Sequence, residues 1–286
     1  MMSISTYSYY PGCSLHATAS EYDSSLKEVF AALGVGLDEL EDWNCCSASS
    51  GHSVNRPLLL ALTGRNISIA QKTGHDVVMP CAGCFSHHKA TEHVLRNDDK
   101  RRTFIEEAVD FKYDGTVAVR NLLDVVGSQI GLENVESRVK KPLTGLRVVG
   151  YYGCVLVRPP EIVQFENPEN PVLLNHILDA LKADVCQWSY AVDCCGGGIA
   201  LTKPEVAAKM VNRLVDRARE AGAQAIVTTC PLCLMNLEMR QGDRDKMAVF
   251  YLTELMGLAF GLEKARSWWK AHLINPAGLL ISVGLL

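Results

Sequence analysis

The chain is short of several features that would identify it at once. It has no excess of positive charge: 28 Lys and Arg against 32 Asp and Glu leave a formal net charge of −4, so the electrostatic footprint of nucleic-acid binding is missing. It has no uninterrupted apolar run of membrane-spanning length. The tail NPAGLLISVGLL is apolar but about half of the roughly 20 residues a span needs, and it reads as a docking segment for another surface. The start, MMSISTYSYYPGC, lacks the basic stretch and apolar run of a secretory leader. No GxGxxG follows a strand-like run, and GCVLVRPP is not one, so no nicotinamide or flavin site is expected. These absences predict a cytoplasmic globular protein. Its 286 residues suffice for one large domain or two ordinary ones, and 48% hydrophobic with 21% charged residues is the composition of a packed chain.

Cysteine, by contrast, is abundant. Eleven thiols in a reducing compartment favour metal binding or redox chemistry over stored disulfides. Their spacing argues against scattered core cysteines. Cys13, Cys45, Cys46, Cys81 and Cys84 are matched by Cys154, Cys194, Cys195, Cys230 and Cys233. The last four of each set stand 149 residues apart, as in Cys45 and Cys194, whereas Cys13 and Cys154 stand 141 apart. The eight-residue difference falls between Cys154 and Cys194, where RPPEIVQFENPENP reads as an inserted loop. Cys186 is outside the pattern; Leu37 stands 149 residues before it, which suggests an apolar packing role.

The surroundings repeat too. TYSYYPGC matches VVGYYGC, each a strand-like run ending in Gly-Cys. Helical spacing follows in ATASEYDSSLKEVFAALG and PVLLNHILDALKAD, and strand-like VGLDEL and VCQWSYAV lead into the two CC pairs. RPLLLALTGRNISIAQKTG and KPEVAAKMVNRLVDRAREAG each carry Pro near a helical start and Gly past its end. HDVVMPC and AQAIVTTC then deliver a CxxC at the ends of short buried strands. Strand and helix in alternation predict an α/β protein of two tandem halves related by a pseudo-twofold axis, each a small parallel sheet flanked by helices. The boundary is expected near residue 143, giving halves 1–143 and 144–286, with one helix over GTVAVRNLLDVVGSQIG before it.

A vicinal pair such as Cys194 and Cys195 is a poor partner for itself, because bridging it closes a strained ring. Three glycines behind it let the backbone come close to a third party. Zinc closes a structural site with four thiolates, so five per half is one too many. A cubane [4Fe–4S] cluster also takes four, whereas five thiolates suit a cluster in which one bridges two irons. A thioredoxin-type redox CxxC is the third alternative.

The duplicated C–x(31 or 39)–CC–x34–CxxC pattern resembles the cysteine-rich CCG domain, and two copies in a chain this long resemble the B subunit of heterodisulfide reductase. The likeness covers about residues 8–240, with CCS in place of CCG in the first copy. It implies two noncubane [4Fe–4S] clusters, one held by Cys13, Cys45, Cys46, Cys81 and Cys84 and the other by Cys154, Cys194, Cys195, Cys230 and Cys233. It also implies an oxidoreductase acting on sulfur: a substrate disulfide cleaved between the clusters, each sulfur captured by an iron. Its partners would be a flavin-bearing A subunit with a ferredoxin-like C subunit of the same complex. CCG domains also serve as electron-transfer modules in dehydrogenase and sulfur-metabolism complexes.

Cleavage to two thiols needs protons, and His16, His52, His87 and His88 follow motif cysteines closely enough to be candidate donors. Arg56, Arg158 and Lys203 are candidate anchors for an anionic substrate. Gly196, Gly197 and Gly198 would keep side chains off the cluster and turn N–H groups toward its sulfurs, with Ser47, Ser49 and Gly51 serving in the first copy.

Overall fold

A computed structural model describes residues 5–48, 51–242 and 245–286, apart from the side chain of His52. Two four-stranded parallel sheets are present, ordered β2-β1-β3-β4 and β6-β5-β7-β8. In the first, β1 is Thr6–Tyr9, β2 Gly36–Glu39, β3 Val77–Met79 and β4 Val119–Asn121. In the second, β5 is Arg147–Tyr151, β6 Asp184–Val185, β7 Ala225–Thr228 and β8 Ala248–Tyr251. Strands covered on both faces carry continuous apolar runs, and β3, β7 and β8 are buried at every position.

Helix ends follow the sequence signals. The Ser20–Leu33 and Arg56–Thr73 helices stop at Gly34 and Gly74, each with φ above +70°, a conformation that costs glycine little. The Asn55 side chain caps the second of these by accepting from Leu58 N.

Three local expectations need correction. The run GTVAVRNLLDVVGSQIG is not one helix: VRN forms β4, in register Val77 to Val119, and a wide helical turn follows over Asp124–Gly131. MAVFY supplies β8 in the same way, a strand that the sequence pattern does not announce. VCQWSYAV is strand only at its first residue, beyond which Cys186 N still donates to Val148 O and Trp188 Nε1 to Gly150 O. The repeat offset also moves in steps. Tyr7 pairs with Leu37 and Val148 with Val185, so Leu37 corresponds to Val185, and Cys186 corresponds to Asp38. The insertion is therefore nearly complete at β6, with its last residue between Cys186 and Cys194.

The halves exchange helices. The helix after the last strand of the second sheet, Leu252–Ala259, packs on the Ser20–Leu33 helix of the first. The Asp124–Gly131 turn and the Leu132–Ser137 helix pack reciprocally on the Leu173–Ala180 helix. Tyr22 is fully buried at the junction, stacked on Tyr251 with centroids 4.0 Å apart and planes 3° from parallel. Its hydroxyl donates to Thr229 O at 2.8 Å, and Ser25 Oγ meets Thr253 Oγ1 at 2.6 Å. The apolar tail lies on its own chain through buried Leu280 and Leu285, while Ile281 faces outward.

Candidate metal centre

Every motif cysteine follows the carboxyl end of a strand, where ligands collect in open α/β sheets. Cys13 comes after β1, the Cys45–Cys46 pair after β2 and Cys81 after β3; Cys154, the Cys194–Cys195 pair and Cys230 follow β5, β6 and β7. Parallel strands in the same order in both sheets bring the sulfurs of each set together. Cys13 and Cys45 Sγ stand 4.0 Å apart, Cys46 and Cys84 Sγ 3.1 Å, and Cys195 and Cys233 Sγ 3.6 Å. Cys154 interacts with Cys194, and each CxxC pair interacts internally. Across the junction Cys81 interacts thiol to thiol with Cys230. The ten sulfurs thus form one row. Its ends are the exposed Cys13 and Cys45 on one side and the exposed Cys194 on the other, and its middle is buried.

Hydrogen bonds between neighbouring cysteines push one thiol of a pair down and its partner up, and Cys45, Cys84, Cys154 and Cys233 are the raised partners. Hydrogen bonds from Cys45 and Cys84 push the Cys46 thiol down to about 2, and those from Cys154 and Cys233 push Cys194 to about 6 and Cys195 to about 7. The Cys81 thiol is driven well down, chiefly by its hydrogen bond with Cys230. Thiolate is the form that ligates metal. Among the described residues no three His, Cys, Asp or Glu side chains converge on a single-ion position. Zinc asks for four donors about one point, whereas an extended array of five adjoining thiols fits a multi-iron group.

The loops are built to admit that group. Gly12 and Gly153 both have φ of +69°, and a Cβ on either would come within 3.0 Å of Cys84 Sγ or 3.1 Å of Cys233 Sγ. Behind each CC pair the chain turns left-handed, at Ser47 with φ +59° and at Gly196 with φ +80°. The turn aims Ser47 N at Cys45 Sγ (3.4 Å) and Gly196 N at Cys194 Sγ (3.3 Å). Ala48 and Gly197 N–H groups do the same for Cys46 and Cys195. CCS and CCG therefore make the same turn. Gly198 has no such neighbour, since a Cβ there meets nothing within 4 Å. Gly51 is close-packed against Ser47; Ser49 lies outside the described residues.

Each CC loop is braced twice more. Tyr10 and Tyr151 donate to the carbonyls of Asn44 and Asp193, the residues just before the pairs, at 2.9 and 2.7 Å. His87 Nδ1 lies 3.2 Å from Cys46 O, and 149 residues on Asn236 Nδ2 donates to Cys195 O at 2.6 Å. Periodicity could have paired His87 with Asn236 and Tyr10 with Tyr151; nothing in the residue types alone marks them.

The other candidates have partners of their own. His16 is exposed, pairs with Glu39 at 2.7 Å and stands edge-on to Trp43. His88 is fully buried, between Asn66 Nδ2 at 3.0 Å and Cys84 O at 2.8 Å, and burial lowers its basicity. His52 carries a side chain outside the described set. Arg158 is paired with Glu169, while Arg56 and Lys203 are exposed at helix starts. One buried ionic group carries no sequence signal. His272 sits between Glu238 (2.7 Å) and Glu254 (3.0 Å), and those carboxylates also accept from Leu273 N and Tyr251 N.

Comparison with known proteins agrees with this duplication. A cysteine-rich domain (CCG) family model matches residues 7–89 and again 148–238. The chain is 32% identical to the 8-methylmenaquinol:fumarate reductase membrane anchor subunit of Wolinella succinogenes, over 90% of this chain and 92% of that one. It is 28% identical to a heterodisulfide reductase B-subunit-like protein of Archaeoglobus profundus, over 90% and 91%. The B subunit of a ferredoxin/F(420)H(2)-dependent CoB-CoM heterodisulfide reductase from Methanosarcina acetivorans is 26% identical over 89% of each chain. A crystal structure of a hypothetical protein from Helicobacter pylori superposes with a TM-score of 0.72 at 11% identity, over 94% of this chain and about half (51%) of that one, a likeness of fold. Among the described residues no helix is long and apolar enough to cross a membrane. Two matched segments covering most of both sheets place the chain in the cysteine-rich CCG domain family, related to the B subunit of heterodisulfide reductase.

Proposed function

We propose that this protein is an electron-transferring iron–sulfur component of a multi-subunit reductase, with one [4Fe–4S] cluster of noncubane type in each half. Cys13, Cys45, Cys46, Cys81 and Cys84 are the ligands of one, and Cys154, Cys194, Cys195, Cys230 and Cys233 of the other. What supports this reading is that the two sulfur sets adjoin, Cys81 and Cys230 influencing each other's protonation across the junction, with exposed cysteines in each half. The groups such thiolates hold take up and release electrons singly. Two such groups, held in adjoining cysteine sets, would let a two-electron donor be emptied in two steps. The Wolinella relative, named for a hydroquinone and fumarate, supports such a relay between an apolar carrier and a flavin-bearing partner.

A second reading makes the same centre catalytic, reducing or forming a substrate disulfide, with ferredoxin-like and flavin-bearing proteins of the same complex as partners. It is favoured by the relatives named for heterodisulfide reductase and by the exposure of Cys13, Cys45 and Cys194, where a substrate sulfur can approach. Anaerobically purified complex, reduced with a viologen, separates the two. Stoichiometric reoxidation through the partner flavin and inertness to added disulfides supports the relay, whereas catalytic thiol release from a disulfide overturns it for the second reading.

A further inference from the structure

Beside the sulfur row, between the Pro231–Met239 helix and residues 14–21, lies a cleft of ≈ 280 Å³, near the lower end of small-molecule sites at about 300 Å³. Leu232, Met235 and Met239 form one stripe of that helix and Leu273 faces them; they are exposed by 38%, 42%, 57% and 67%. The floor is ionisable: Glu21, Glu238 and His272 line it. Burial raises the Glu21 carboxyl above its ordinary range. The cleft also abuts both cysteine sets, since Ser14 follows Cys13 and Leu232 lies within the second CxxC.

The duplication supplies an internal control. At the 149-residue offset, Leu232, Met235 and Met239 correspond to Gly83, Ser86 and Ala90. The nearest cleft on the first copy's CxxC helix lies farther along it, is lined by Lys89, Glu92, His93, Arg96 and Asn97 with Ile162 and Gln164, and includes none of those three positions. The fold therefore needs no apolar stripe at these helix positions, and the second copy carries one. A stripe alone would suit a partner helix. A stripe over carboxylates, next to two sets of electron-accepting ligands, suits a small apolar molecule that surrenders electrons and protons together.

We propose that this cleft binds a hydroquinone, its ring against Glu21 and Glu238 and its apolar substituents along Met235 and Met239. This rests on the electron-relay reading above. On oxidation the two O–H bonds break and two C=O bonds form. One proton passes to the Glu21 carboxylate and one to water at the open side of the cleft, and the two electrons would be taken up by the iron–sulfur groups that the two cysteine sets would hold.

The test is equilibrium dialysis of the anaerobic holoprotein against a short-chain naphthoquinone, with the Met235→Ser/Met239→Ala variant, which restores the first-copy residues, alongside. Saturable binding by the parent, weakened at least about tenfold in the variant with iron content and visible spectrum unchanged, supports the site. Equal binding by both overturns it and leaves the relay reading standing, because reoxidation through the flavin partner is measured separately. Absence of binding to the parent overturns it as well. So does a variant that binds quinone normally but no longer copurifies with its partner proteins, since the stripe is then a protein–protein interface.

Discussion

His87 and Asn236, 149 residues apart, brace the same atom in the two copies: each side chain meets the carbonyl of the second cysteine of its CC pair, Cys46 or Cys195. One copy does with an imidazole what the other does with an amide. A donor to a backbone carbonyl is a positioning group, and an amide should serve in either place. His87→Asn should therefore keep the iron content and the spectrum of the first-half cluster. His87→Ala should cost about 1–2 kcal/mol and disturb that spectrum while leaving the second-half signal alone. Loss of the spectrum in His87→Asn would show that the imidazole does something an amide cannot, such as delivering a proton.

Ser47 and Gly196 make the same left-handed turn at different cost. A non-glycine residue in that region carries roughly 1–2 kcal/mol of strain, so Ser47→Gly should raise the denaturant midpoint without changing cluster content. Gly196→Ala should do the reverse, since its Cβ would stand 3.0 Å from Ala207 Cα on top of the same strain. Equal effects of opposite replacements, measured by anaerobic unfolding, are not expected: the serine site has already adapted.

The ten cysteines, their two sets and the sheet class could be read from sequence because spacing and strand-end position survive duplication. What could not be read was contact between the copies. The Cys81–Cys230 junction lies beside Tyr22, which stacks on Tyr251, two residues more than 200 positions apart with no shared pattern. The strands β4 and β8 escape sequence reasoning because three or four residues that run directly into a helical turn carry too little periodicity of their own. A fixed 149-residue offset matches Cys186 to Leu37; pairing registers match it to Asp38, because one residue of the insertion sits after β6 rather than before it. His87 is legible as a residue near a ligand but not as a brace, since only the partner carbonyl reveals that role.

His272 should give the fold a pH dependence. Burial alone would lower its basicity, but hydrogen bonds to Glu238 and Glu254 and their charges outweigh it and raise its pKa from 6.5 to about 10. The group is more basic folded than unfolded, so its stabilisation is complete below about pH 6.5 and fades as pH rises toward 10. The stability gap between the parent and His272→Gln should accordingly shrink across that interval. His272→Ala at neutral pH leaves two buried carboxylates without their cation and should cost about 3–5 kcal/mol. A gap that stayed constant from pH 6 to about 10 would mean that His272 is neutral in the folded protein.

The sharpest prediction concerns which thiols hold metal. Cys195 and Cys233 touch at 3.6 Å inside the second set, so Cys195→Ala and Cys233→Ala should each reduce the iron found from about eight per chain and abolish the second-half signal. The first-half signal should persist but be altered, because Cys81 interacts with Cys230, a member of the disturbed second set. Cys186 is different. It is half-buried at the edge of the second sheet, and its Sγ lies 3.9 Å from the carbonyl of Asp184. Cys186→Ala should cost about 1 kcal/mol or less and leave both signals intact. Metal analysis with low-temperature electron paramagnetic resonance reads all three variants. A Cys186→Ala protein that lost a cluster beside a Cys195→Ala protein that kept both would overturn the ligand sets and, with them, the continuous sulfur row on which the relay depends.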